Sequence, residues 1–365
     1  MPMLRKHADY PLLIITAVLL LAGLLIISSA SVVISQKNFG TPYYYLLRQG
    51  IAAIVGVVLL FVMQAIPYHV WKKIAFPLLI FAIFLLLLVF LTPLGFSYGG
   101  ATRWLHLGFF SVQPSEILKL SLILYLASWL ATRRGEVKSF RSAFLPFLTI
   151  IAVVTYLLEK QPDIGTLIII IATAVALYFL GGGRVSQLAA LGLIVVGGLI
   201  VVVLTSQYRM DRFLVFLQPA LDPQGIGYHV SQARIAIGSG GFFGRGYGQG
   251  IQKYNYLPET IGDSVFAIVV EEFGFFGAIL LSSLFFAFFL RIVLIARRAS
   301  DTFAKLTAAG IGVAITFQAF INMAAISGLL PLTGIPLPFI SYGGTSLVVT
   351  LAMVGIVLNI SKQSS

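Results

Sequence analysis

The chain has 365 residues, of which 59% are hydrophobic and 10% charged. A water-soluble protein of this size needs far more charge to cover its surface. The net charge is +12, and cysteine is absent, so disulfides and thiolate metal sites are excluded. The four histidines, His7, His69, His106 and His229, lack ligand spacing.

Apolar runs long enough to cross a bilayer recur from end to end, near 12–33, 51–66, 74–94, 114–132, 144–158, 164–180, 188–205, 264–295, 303–326 and 339–360. A span needs about 20 such residues. The runs are continuous rather than alternating, which predicts helices rather than a barrel. The expected fold is therefore an all-α polytopic membrane protein of about ten spans, forming a single domain over 1–365. The first run follows Arg5 and Lys6 and ends in Ser28-Ser29-Ala30-Ser31. Its apolar core is too long for a typical signal peptide, so it is expected to stay as a helix.

With the N-terminus in the cytoplasm, the inner segments collect Arg5, Lys6, Lys72, Lys73, Arg133, Arg134, Lys138, Arg141, Arg184, Arg291, Arg297, Arg298, Lys305 and Lys362 against Asp9, Glu136 and Asp301. This is the positive-inside bias, and it puts both termini on the cytoplasmic side. It also accounts for the positive charge with no nucleic-acid partner. Two outer segments are long. Residues 95–113 are rich in glycine and polar residues. Residues 206–263 are rich in aromatics and are expected to be ordered and partly re-entrant.

Charges near a membrane point to function by default, and four outer clusters stand out. Arg103-Trp104 precedes Gln113-Pro114-Ser115-Glu116, with Lys119 on the same helical face as Glu116. A helix start with a local ion pair is the plain alternative. Glu159-Lys160-Gln161-Pro162-Asp163-Ile164-Gly165-Thr166 is the second cluster, where Asp163 also suits a helix cap. The third holds Tyr208-Arg209-Met210-Asp211-Arg212 and, further on, Gly238-Ser239-Gly240-Gly241-Phe242-Phe243-Gly244-Arg245-Gly246. Its glycines lack dinucleotide spacing but could cradle phosphate or simply turn the chain. The fourth runs from Leu257-Pro258-Glu259 to Asp263, followed by Glu271-Glu272, two adjacent acids inside an apolar helix. Pro331, Pro336 and Pro338, with Gly343-Gly344, break the approach to the last span, which predicts irregular backbone lining a cavity or buried in protein.

These motifs, in this order, resemble the SEDS family (shape, elongation, division and sporulation). They continue with Ala236-Ile237-Gly238-Ser239-Gly240-Gly241 and Pro336-Leu337-Pro338-Phe339-Ile340-Ser341-Tyr342-Gly343-Gly344, and the resemblance runs from the first span to residue 360. The Tyr208–Arg212 stretch leans towards the FtsW branch. Many members carry His-Thr before the fourth cluster's aspartate and Phe after it, where this chain has Ile261, Gly262 and Ser264. The resemblance implies a ten-helix peptidoglycan glycosyltransferase of the cytoplasmic membrane. Such an enzyme polymerises lipid II, a disaccharide-pentapeptide on undecaprenyl pyrophosphate, at the outer face beside a class B penicillin-binding protein. The family's essential aspartate maps onto Asp263, the expected general base. Arg103, Lys119, Arg209 and Arg212 are then candidates for the diphosphate. Glu116 and Asp163 could orient Lys119 or hold a divalent cation such as Mg²⁺, and Glu271 joins the substrate-binding set. A lipid II flippase and a scaffold for the transpeptidase are the alternatives. The acids and bases collect on one side rather than through the membrane's depth, which favours the enzyme.

Overall fold

In hydrocarbon a backbone must satisfy its own hydrogen bonds, and the apolar runs do so as helices. The computed structural model describes residues 7–98, 101–106, 108, 111–133, 135–204, 207–218, 222 and 224–363. Helix α1 (Tyr10–Ala30) starts at Asp9, whose Oδ1 accepts from the Leu12 amide at 3.0 Å. The short α2 (Val32–Phe39) turns at Gly40 into α3 (Tyr44–Ala65), and α4 (Tyr68–Leu91) follows. A small antiparallel sheet, β1 (Gly95–Tyr98), β2 (Ala101–His106) and β3 (Ser111–Val112), fills the first long connection. Then come α5 (Pro114–Thr132), α6 (Leu145–Lys160) entered through a π-helical turn, α7 (Ile164–Leu180) and α8 (Val185–Leu204). The second long connection carries α9 (Gln207–Leu217) and α10 (Ile226–Ser239). Helices α11 (Val265–Arg298), α12 (Thr302–Ile326) and α13 (Gly344–Lys362) complete the chain.

Among the described residues, eight helices are long and apolar enough to cross a membrane: α1, α3, α4, α5, α6 with its π turn, α11, α12 and α13. Helices α7 and α8 contribute shorter apolar stretches. Each of the ten expected runs is thus helical, with shifted ends. Helix α3 begins seven residues before the apolar run because its polar first turns, including buried Gln49, bond to protein. The chain is a multi-pass α-helical membrane protein. The small sheet of β1, β2 and β3 is an addition within the all-α fold; glycine and polar residues obscured its alternation. Helix α13 is buried almost throughout, lies along α3, and packs with α12, α11 and α5.

Helix α11 is broken. Gly274 has φ 67 and ψ −163, conformations that only glycine adopts without strain. The amides freed at Phe275 and Phe276 donate to the carbonyls of Gly241 and Phe242 at 2.9 and 3.2 Å. In return, the amides of Arg245 and Gly246 donate to the carbonyls of Glu271 and Glu272 at 2.9 and 3.1 Å. The glycine-rich segment after α10 therefore closes a gap in a helix. A Cβ on Gly240 would lie 2.0 Å from the Val270 oxygen, and one on Gly244 would lie 2.2 Å from the Glu272 oxygen. These glycines serve close backbone approach rather than a phosphate cradle.

Candidate active site

Residues 331–343 form an irregular segment between α12 and α13. No helix satisfies its carbonyls, so isolated polar side chains on apolar helices do. Gln318 and Asn322, one turn apart on α12, donate to the Pro336 and Ile335 oxygens at 3.0 and 2.8 Å. Gln49 on α3 donates to the Ser341 oxygen at 3.1 Å and accepts from the Gly343 amide at 3.2 Å. A polar group in hydrocarbon persists where it has such partners. A second loop, 259–264, hangs on this one. Ser341 Oγ donates to the Gly262 oxygen at 2.6 Å, the Tyr342 amide donates to the Ile261 oxygen at 2.7 Å, and Asn322 also donates to the Asp263 oxygen at 2.8 Å. Glu259 and Phe339, one in each loop, have left-handed φ of 50 and 65. Backbone strain of this kind persists only where surrounding contacts fix it.

Asp263 is thereby held rigidly one residue before the N-cap of α11. Protein encloses its carboxyl on most sides, with part of the residue open to solvent. Burial pushes its pKa up to about 6, against the opposing charge of Arg212 and the hydrogen bond from Ser264 Oγ at 3.4 Å. Arg212 on α9 is fixed by an Nη1 bond of 3.2 Å to the Leu332 oxygen. Behind Ser264 lies His229 of α10, with Nε2 2.5 Å from the serine oxygen. Burial drives the imidazole down to about 4; Glu259 raises it and Arg212 lowers it further. An acid poised near neutrality beside a fixed cation is equipped to take a proton while negative charge develops nearby.

The other expected site residues are placed differently. Lys119 and Glu116 are buried and paired at 2.8 Å, and Lys119 also donates to Gln318 Oε1 at 2.7 Å. Glu116 is thus paired with Lys119, which is linked through Gln318 to the segment 331–343. Asp163 caps α7, accepting from the Thr166 amide at 3.4 Å and from Ser115 Oγ at 3.0 Å. Arg103 fastens the sheet to the turn before α7, its Nε donating to the Gln161 oxygen at 3.3 Å and its Nη2 to the Pro162 oxygen. Arg209 lies on α9, and its side chain is outside the described residues. Among the described candidates for the diphosphate, Arg212 is the cation beside Asp263. Glu116 Oε2 is paired with Lys119, and Asp163 accepts from Ser115 and a helix amide. Among the described residues no three His, Asp or Glu side chains gather as a metal site.

Glu271 is not at this site. Its carboxylate accepts from the Ile251 and Gln252 amides at 2.8 and 3.2 Å. Its neighbour Glu272 accepts from the Gly248 amide at 3.0 Å, from Ser29 Oγ at 2.6 Å and from Lys253 Nζ at 2.8 Å. Both acids anchor the loop that follows α10, eight and nine residues along α11 from Asp263, or about 12 Å of helical rise.

Residues 10–365 match the family model of the cell cycle proteins FtsW, RodA and SpoVE. The chain belongs to this family. It is 40% identical over 331 residues to a probable peptidoglycan glycosyltransferase FtsW of Geobacter sp. (strain M18), covering 91% of this chain and 90% of the relative. It is 39% identical over 356 residues to stage V sporulation protein E of Bacillus subtilis (strain 168), covering 98% and 97%. Its fold matches a chain of a peptidoglycan synthase complex that coordinates polymerization and crosslinking, with a TM-score of 0.81, 27% identity and 97% of each chain covered. The rod shape determining protein RodA of Thermus thermophilus matches with a TM-score of 0.73 and 26% identity over 98% of this chain and 97% of that one.

In this FtsW/RodA/SpoVE member His229 has no ligand spacing in the sequence, and Ser264 is marked there only as a departure from the family pattern. Gln49, Gln318 and Asn322 carried a signal that charge alone does not register: single amides inside apolar helices, two of them at i and i+4.

Proposed function

We propose that this chain polymerises lipid II into glycan strands at the outer face of the cytoplasmic membrane, with both termini cytoplasmic and a class B penicillin-binding protein as partner. The observation that carries the mechanism is Asp263, partly open to solvent, raised to about 6 and faced by Arg212. The acceptor's 4-hydroxyl is a weak nucleophile. As its oxygen bonds to the donor's anomeric carbon, Asp263 takes its proton. The bond from that carbon to the phosphate oxygen breaks with its electron pair, and undecaprenyl pyrophosphate leaves. Attack from the opposite face turns an α-linked donor into a β-1,4 link. Arg212, pinned by the Leu332 carbonyl, offsets the charge growing on the diphosphate. Family membership supports the reaction class, and the charge bias of the connecting segments supports the orientation.

Polymerisation of purified lipid II by the protein, alone and in complex with its transpeptidase, is the test. Strands of many disaccharides, with a higher rate in the complex, are expected. Lipid II recovered unchanged in both arms would overturn the proposal.

A further inference from the structure

Ser264 occupies the N-cap of α11, where a serine oxygen ordinarily accepts from an amide of the first turn. Here it makes no capping bond. The residue is fully buried, and its Oγ lies between His229 Nε2 at 2.5 Å and Asp263 Oδ1 at 3.4 Å. A hydroxyl has one proton to donate. If Ser264 donates to Asp263, His229 donates its Nε2 hydrogen to Ser264. If Ser264 donates to His229, the carboxylate loses that donor. Ionised Asp263 favours the first arrangement, because a donor aimed at a carboxylate makes the stronger bond. The other carboxylate oxygen, Oδ2, is the one on the side of Gly334. A Cβ on Gly334 would lie 3.9 Å from Oδ2 and within 4 Å of no other atom outside its chain neighbours.

We propose that His229 and Ser264 form a donor chain that fixes Oδ1 of Asp263 and leaves Oδ2, beside Gly334, to receive the proton of the acceptor hydroxyl. Both are positioning residues, and the inference rests on the role of Asp263 in glycosyl transfer. The groups facing this chain are few. Arg212 on α9 acts on both Asp263 and His229, and Glu259 acts on His229. Asn322 on α12 bonds the Asp263 backbone, and residues 331–343 present Gly334 and the carbonyl that holds Arg212. Burial keeps the imidazole uncharged through the neutral range, so it does not compete with Asp263 for the proton; the tautomer that carries its hydrogen on Nε2 is the one that donates to Ser264. Losing a donor to the charged form raises a carboxyl pKa.

The experiment is the pH dependence of kcat/KM for lipid II polymerisation by the complex, between about pH 5 and 9. Ser264→Ala and His229→Leu each move the acid limb up by about half to one pH unit and lower kcat by about tenfold, with KM little changed. The double variant is no worse than Ser264→Ala alone, since both act through one chain. His229→Gln keeps an amide N–H and restores most of the profile. A merely structural role lowers yield or thermal stability and leaves the acid limb where it was. An unmoved acid limb in both single variants, or losses that multiply in the double variant, overturns the proposal. Should Ser264→Ala fail to fold, His229→Leu against His229→Gln decides alone. An inactive Asp263→Asn beside an unmoved Ser264→Ala limb sinks only this inference; an active Asp263→Asn sinks the role of Asp263 itself.

Discussion

Lys253 is buried in the loop that follows α10, and its ammonium has three acceptors: Glu272 Oε1 at 2.8 Å, Ser29 Oγ at 2.8 Å and the Gly248 oxygen at 2.7 Å. Only Glu272 among them carries charge. Glu272→Ala leaves a buried cation with two neutral acceptors and frees the Gly248 amide and Ser29. Removing one partner of a buried pair costs about 3–5 kcal/mol, a large part of a total stability of about 5–15 kcal/mol. Lys253→Met in the same background removes the stranded charge at similar volume, and replacing both partners is often close to neutral. The double variant should therefore recover most of the loss. Thermal unfolding of detergent-solubilised protein, followed by size exclusion, measures all four corners of the cycle. If Glu272→Ala unfolds with the wild type, or the double variant falls by the sum of the singles, the loop is not held as described.

Gly274→Ala should destabilise the fold by at least about 1–3 kcal/mol from backbone strain alone, because its Cβ would also lie 2.3 Å from the Gly244 nitrogen; wild-type thermal stability would argue against a broken α11. The acid limb of wild-type kcat/KM should fall near pH 6, since Asp263 must be ionised to act and titrates at about 6. The same shift makes a stability prediction. The native carboxyl binds its proton more tightly than the unfolded one, whose pKa is 3.8, so stability declines as pH rises from about 4 to about 6 and then levels off. Asp263→Asn should accordingly unfold at a higher temperature than the wild type at pH 8 and show no such gain at pH 4. The cysteine-free chain allows clean topology mapping: Ser139→Cys should resist, and Gln249→Cys should accept, a membrane-impermeant thiol reagent in intact cells. The reverse pattern would invert the topology.

The apolar runs made the spans legible, because a continuous stretch of about 20 apolar residues has few other uses. Their ends were less so. Helix α3 extends back through Arg48 and Gln49, and α4 through Lys72 and Lys73, polar residues that hydropathy assigns to loops. The broken backbone before α13 was readable from three prolines. The break at Gly274 was not, since it depends on amides and carbonyls supplied by residues 241–246. Acids in apolar surroundings flagged Asp263, Glu271 and Glu272 alike; only tertiary contacts separate the carboxylate faced by Arg212 from the two that anchor a loop. Arg103 and Asp163 show the same limit from the other side, as their partners are a turn and a cap. The departure at Ile261, Gly262 and Ser264 marked the place where α10 contributes His229, a contact spanning 35 positions that no local pattern encodes.

The most direct test of the account is polymerisation of lipid II by Asp263→Asn in complex with the transpeptidase. Asparagine keeps the size and the backbone bond from Asn322, so the protein should purify as a folded complex. It cannot take the proton, and the loss of a positioned base lowers the rate by ~10²–10⁴-fold. A folded complex with no detectable strands is the predicted result. Near-normal polymerisation by that variant would remove Asp263 from the chemistry and with it the mechanism built on this site.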